Sequence, residues 1–238
     1  MRRSRWVALA GLICSAVVAC GNSGGGGTFE PSAPPSSSPS TPSVSPSATP
    51  DNLPSEALLR SALLTPAEAG PNFSVDNSDS SGGSHQLTGC PNLKGLLSTP
   101  DTPVAGTREV DEQLIEGQTN NNPLFFVEGL LAKDAANFPA YYATLRSALT
   151  SCKSLTFVVD QTTSLKVSLT PIDFAPSATA ARLDGELNGT IFNGYLVISS
   201  PHDGIALLFF VFQAGSGSSQ FASSLYQQAQ AKASATLK

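Results

Sequence analysis

The sequence predicts an α+β domain: a mainly antiparallel, twisted sheet flanked by N-terminal, central and C-terminal helices. Three observations carry that expectation. Amphipathic helical stretches stand at both ends of residues 52–238 and once in the middle, with strand-like runs between them. Leu165, Val167 and Leu169 alternate with Lys166 and Ser168, as a sheet with one wet face requires. Ile205 to Phe212 is apolar at every position, the pattern of a central strand covered on both faces.

The elements follow in order. Ser55 to Leu64 sets Leu58, Leu59, Ala62 and Leu63 at helical spacing. Thr65-Pro66-Ala67-Glu68 is a capping box with proline at the first helical position, and Gly70-Pro71 ends that turn. Leu93 to Leu97, close to Cys90, reads as a short helix. Thr107 to Glu116 and Leu124 to Leu131 read as paired strands joined across Gly117 to Pro123, where Asn120, Asn121 and Asn122 suit a turn. Asn137 to Cys152 is the clearest helix, with Phe138, Tyr142, Leu145, Leu149 and Cys152 on one face.

Leu155 to Val159, Leu165 to Leu169, Ala181 to Leu187, Ile191 to Ser199 and Gly204 to Gln213 continue as strands. Ser200-Pro201-His202-Asp203 joins the last two as a hairpin-like connection. The final helix, Ser218 to Leu237, repeats Phe221, Leu225, Ala229 and Ala233 every four residues and places Lys232 and Lys238 near its negative dipole end.

Ahead of the domain the chain reads as an address. Arg2, Arg3 and Arg5 form a positive n-region, Trp6 to Val18 an apolar region, and Ala19 a small residue at a cleavage position before Cys20. The apolar stretch falls short of the roughly 20 residues needed to span a bilayer. Residues 1–19 therefore read as a lipoprotein signal peptide and Cys20 as the lipidated residue, which would hold the protein on the extracytoplasmic side of the cell membrane. Cys14 competes, but Ile13 before it is bulky where Ala19 is small. Residues 20–51 are rich in Gly, Ser, Pro and Thr and read as a disordered tether. Ser and Thr beside Pro there could accept O-linked sugars.

The chain carries 13 Lys and Arg against 18 Asp and Glu, a net charge of −5. Loss of Arg2, Arg3 and Arg5 with the signal leaves 10 basic side chains and a net charge of −8. No basic stripe follows a phosphate backbone, so nucleic acid is not an expected partner. An acidic domain also gains nothing from anionic headgroups, which leaves membrane attachment to the acyl chains on Cys20. Cys90 and Cys152 remain in the domain, and in an exported chain an even pair reads most simply as a disulfide. A redox or metal thiol is the alternative; no C-x-x-C spacing supports it, and His85 and His202 are its sole histidine helpers.

Gly21-Asn22-Ser23-Gly24-Gly25 matches G-x-S-x-G formally, but in a tether it lacks the strand and helix that the motif needs. His202 beside Asp203 would require a serine from elsewhere in the fold, and His85 lies among serines and glycines. Asp111 with Glu112 and Asp184 with Glu186 are the acidic pairs; the second, on one strand face, could share a proton or bind a cation. Asn72-Phe73-Ser74 and Asn188-Gly189-Thr190 fit the N-glycosylation pattern, but that pathway is not expected in a bacterial setting. No phosphate loop, dinucleotide fingerprint, H-E-x-x-H or calcium loop occurs, so no catalytic residue, metal ligand or cofactor is assigned.

Leu63-Leu64-Thr65-Pro66-Ala67-Glu68-Ala69-Gly70-Pro71-Asn72-Phe73, the later Cys90, the Phe138, Tyr142, Leu145, Leu149, Cys152 helix and the C-terminal amphipathic helix together resemble the extracellular sensor domain of PknH-type mycobacterial kinases. That domain also occurs in actinobacterial lipoproteins without a kinase. The resemblance covers most of residues 55–238 and implies a twisted antiparallel sheet with flanking helices and a ligand cleft. The family has two disulfides where this domain has cysteines for one, and no functional residue carries over. Three functions follow as expectations: a ligand-binding or sensor-like module for a cell-envelope small molecule or lipid, a tethered module that binds an envelope protein, and, third, a hydrolase.

Overall fold

A computed structural model describes residues 52–75, 87–91, 93, 106–116, 124–158, 164–215 and 217–238. Among them nine strands form one antiparallel sheet: β1 (Phe73–Val75), β2 (Leu87–Thr88), β3 (Thr107–Glu116), β4 (Leu124–Lys133), β5 (Ser154–Val158), β6 (Ser164–Ile172), β7 (Thr179–Leu187), β8 (Thr190–His202) and β9 (Ile205–Ala214). Their order is β1-β3-β4-β9-β8-β7-β6-β5-β2. The fold is α+β, as the alternation and the terminal helices require. The short β1 and β2 have too few residues to show a period in sequence.

Helices α1 (Glu56–Ser61), α2 (Pro66–Ala69), α3 (Phe138–Ser151) and α4 (Ser219–Thr236) flank the sheet. Each starts where local chemistry dictates, save α3, whose Asn137 makes no side-chain cap. Ser55 Oγ accepts from Leu58 N–H at 3.2 Å, and Ser218 Oγ from Phe221 N–H at 3.2 Å. The capping box forms, with Thr65 and Glu68 bonded reciprocally. Pro91 and Leu93 are helical and Leu93 is buried, while the rest of the expected Leu93 to Leu97 helix and the 117–123 turn lie outside the described residues.

The central strand β9 has a core on each face. Ile205, Leu207, Phe209 and Val211 join a cluster with α1, α2 and α4. Ala206, Leu208, Phe210 and Phe212 join a second cluster with α3, Cys90 and Leu93. A fully apolar strand is stable here because neither face meets water. β6 shows the opposite case, with Leu165, Val167 and Leu169 buried and the residues between them exposed.

Two hairpins sharpen the expected boundaries. Asn188 and Gly189 both take positive φ, 52° and 80°, and join β7 to β8 as a two-residue turn whose backbone twist suits the strands. β8 runs beyond Ser199 to His202, so the connection to β9 narrows to Asp203-Gly204 after a register shift between Ser199 and His202. Gly204 is at φ 77°, where a Cβ would meet the Lys133 carbonyl at 3.0 Å.

Candidate functional site

The site begins at that register shift. A bulge bends the strand and re-aims its side chains, and here it brings Ser199 and Ser200 to the edge of a groove. The second wall is α4, through Tyr226, Gln227, Gln230 and Ala231. The third is Ala175, Pro176 and Ser177 in the connection between β6 and β7. The cavity holds about 250 Å³. A second hollow, between Gly194 and Phe221, holds about 10 Å³, room for one water. The larger space is therefore the candidate ligand site.

Its walls are fixed from below. Phe174 lies 5.2 Å from the ring of Tyr195 and 5.7 Å, edge-on, from that of Tyr226, which ties the β6–β7 connection to the core. Ser199 Oγ donates to Gln230 Oε1 at 2.7 Å. Ser177 is at φ 62°, a left-handed conformation uncommon for serine and one that such clamps often hold. No charged side chain lines the groove.

A separate polar cluster lies under α1 and α2. Glu128, in the middle of β4, is wholly buried among Phe126, Leu130 and Phe209. Its Oε2 accepts from Leu64 N–H at 2.8 Å, and Oε1 has no hydrogen-bond partner among the described residues. Burial pushes its pKa up to about 7, against the opposing effects of the Leu64 N–H and Lys232. Lys232 of α4 donates to Glu68 at 2.6 Å and to the Leu63 carbonyl at 2.7 Å. The Lys232 contact, followed by hydrogen bonds from Thr65, holds the Glu68 pKa down to about 2. Lys232 therefore clamps the α1–α2 corner across the molecule, where the sequence placed it at its own helix end. Arg108 adds bonds to the carbonyls of Leu53 and Pro54. A solitary carboxylate inside Leu124-Phe125-Phe126-Val127-Glu128-Gly129-Leu130-Leu131 was the available sequence signal for this cluster.

The residues singled out in sequence are placed as follows. Cys20 and His85 lie outside the described residues. Cys90 and Cys152 are brought together, Cα atoms 5.9 Å apart, as a disulfide at the end of α3. His202 is exposed at the hairpin, where its Nδ1 meets the Asp203 carbonyl at 3.1 Å. Ser200 Oγ donates to the His202 carbonyl and not to the ring. Asp111 and Glu112 point to opposite faces of β3, opposite Gly129 and Glu128 respectively. Asp184 pairs with Arg182 at 2.8 Å, while Glu186 is exposed two residues on. Of these residues Ser200 lines the groove, while His202, Cys90, Cys152 and the acidic pairs do not. Sequence reasoning missed the groove residues because they come from three distant segments; Gln227 and Gln230, three apart on α4, were the visible hint.

Among the described residues no helix is long and apolar enough to cross a membrane. No family model and no curated protein matches the chain. Among solved structures, a human StarD13 lipid transfer and protein localization domain aligns at a TM-score of 0.28 and 9% identity, over 54% of this chain and 84% of its own, too distant to carry an argument. The extracellular domain of PknH from Mycobacterium tuberculosis aligns at a TM-score of 0.57 and 16% identity, over 77% of this chain and 98% of its own. The chain therefore has the fold of the PknH extracellular domain.

Proposed function

We propose that this is a lipid-anchored protein of the cell envelope whose residues 52–238 form a non-catalytic, sensor-like domain that binds a small molecule in the groove between α4, the β8 bulge and the β6–β7 connection. The observation that carries the reading is the cavity of about 250 Å³ with hydrogen-bonding walls pinned to the core. The fold likeness to an extracellular sensor domain supports an extracytoplasmic setting. The signal pattern ending at Cys20 supports the anchor. The scattered placement of His202 and of the acidic pairs supports the non-catalytic part. The large apolar side chains exposed on the described surface, Leu58 on α1 and Ile191 at the start of β8, form no broad patch that would favour a flat protein interface.

The tests are separate. Cys20→Ala should move the protein from the membrane to the soluble fraction, and its retention in membranes would contradict the anchor. Binding is read by thermal melting with an aqueous extract of envelope metabolites. The melting temperature should rise for the native chain and stay fixed for Ala231→Trp, which fills the groove from an exposed position on α4. An equal rise in both would place the ligand elsewhere.

A further inference from the structure

We propose that the groove takes an uncharged, hydroxyl-rich ligand, a single sugar unit in size; this rests on the groove being the binding site. Six polar side chains line it, Ser177, Ser199, Ser200, Tyr226, Gln227 and Gln230, and none is ionised at neutral pH. Gln230 is the organising group. Ser199 Oγ donates to its Oε1 at 2.7 Å, and the Tyr226 hydroxyl faces the same oxygen at 3.5 Å. With Oε1 occupied, the Nε2 amide keeps two N–H donors that make no hydrogen bond among the described residues. Gln227, one turn earlier, is exposed and adds a second amide.

Ligand class follows from what such walls reward. A charged ligand would lose hydration and find no countercharge. A hydrocarbon would bury amide and hydroxyl groups without partners, which costs more than its own desolvation returns. A polyol offers donors and acceptors on every edge and meets both. Ala175, Pro176 and Ala231 add short apolar surfaces that suit the C–H face of a ring. The cavity of about 250 Å³ lies below the about 300–1,000 Å³ of drug-sized pockets, so it holds one ring and its substituents. The ligand is either a free sugar or the terminal unit of an envelope glycan, since both present the same chemistry.

The experiment is saturation-transfer NMR and calorimetry on the full chain with glucose, galactose, mannose and N-acetylglucosamine as neutral probes. Glucuronate serves as the charged ring and 1-hexanol as the apolar probe. At least one neutral sugar should bind at least tenfold more tightly than glucuronate. Gln230→Glu keeps the acceptor for Ser199 and Tyr226 but removes the Nε2 donors, so it should weaken that sugar at least tenfold with little change in melting temperature. Ala231→Trp should abolish binding. Maltotriose or chitotriose binding as tightly as its monosaccharide would assign a glycan end; loss of binding to the longer chain would assign the free sugar. Glucuronate or 1-hexanol binding best, and lost in Ala231→Trp, would overturn the sugar while the site stands. Sugar binding that survives Ala231→Trp, or no binding by any neutral sugar, would overturn the proposal.

Discussion

The two faces of the sheet are closed by different chemistry. The face under α3 buries an apolar cluster, with Gln113 of β3 as a buried polar residue beside Val127, and is fastened by the Cys90–Cys152 disulfide. The face under α1, α2 and α4 buries a larger apolar cluster, yet its corner is held by Glu128, Lys232 and Glu68. One fastening responds to redox conditions, the other to pH. The groove opens beside α4, on the Glu128 face, where Ser199 and Gln230 hydrogen-bond to each other in its wall.

The largest effect should come from the covalent face. Cys152→Ser opens a loop of sequence separation 62 and should cost about 4 kcal/mol in urea unfolding by the chain-entropy estimate. Replacing both cysteines, Cys90→Ala with Cys152→Ala, leaves no free thiol and should give a loss of the same size at pH 5 and pH 8.

Glu128 should dominate the other face. Its folded pKa of about 7 lies above the unfolded value, so between about pH 4.5 and 7 the folded chain holds a proton that the unfolded chain has released. Stability from this group is full below pH 4.5 and is lost as pH rises through 7, by about 3 kcal/mol. Glu128→Gln keeps an acceptor for Leu64 N–H without the charge. The substitution should flatten that slope, gaining up to about 3 kcal/mol at pH 8 and little at pH 4.5, read by urea unfolding at each pH. A slope unchanged in the variant would remove Glu128 as its source.

Lys232→Met should cost about 1–2 kcal/mol at pH 7, since it strips the Leu63 carbonyl and Glu68 of their ammonium partner. Glu68 titrates in the opposite sense to Glu128. Its folded pKa of about 2 makes its contribution full above the unfolded pKa and lost as pH falls toward 2. The variant should therefore soften the acid limb of the pH profile. Thr65→Ala, which breaks the capping box alone, should cost about 1 kcal/mol in the same measurement.

Much of the fold was legible because it depends on local periodicity. β6 shows period two, α3 and α4 period near four, and β9 unbroken apolarity, and each takes the environment its pattern demands. Asn188-Gly189 carried a hairpin signal as well, one missed in sequence, where the triplet stood only as a glycosylation pattern. What stayed hidden depends on tertiary placement. Nothing near Glu128 in sequence says that Leu64 supplies its hydrogen bond, 64 residues away. The groove joins a loop, a bulge and a helix face, and the bulge exists only in the register between β8 and β9. Uncharged polar residues also leave no motif, since serine and glutamine are ordinary on any surface.

The most direct test of the account is native mass spectrometry of the full chain and of Ala231→Trp, both purified from the same exporting host. A small-molecule adduct on the native chain that vanishes on denaturation and is missing from Ala231→Trp is the predicted result. An adduct of equal occupancy on both chains, or bare mass on the native chain, would contradict it.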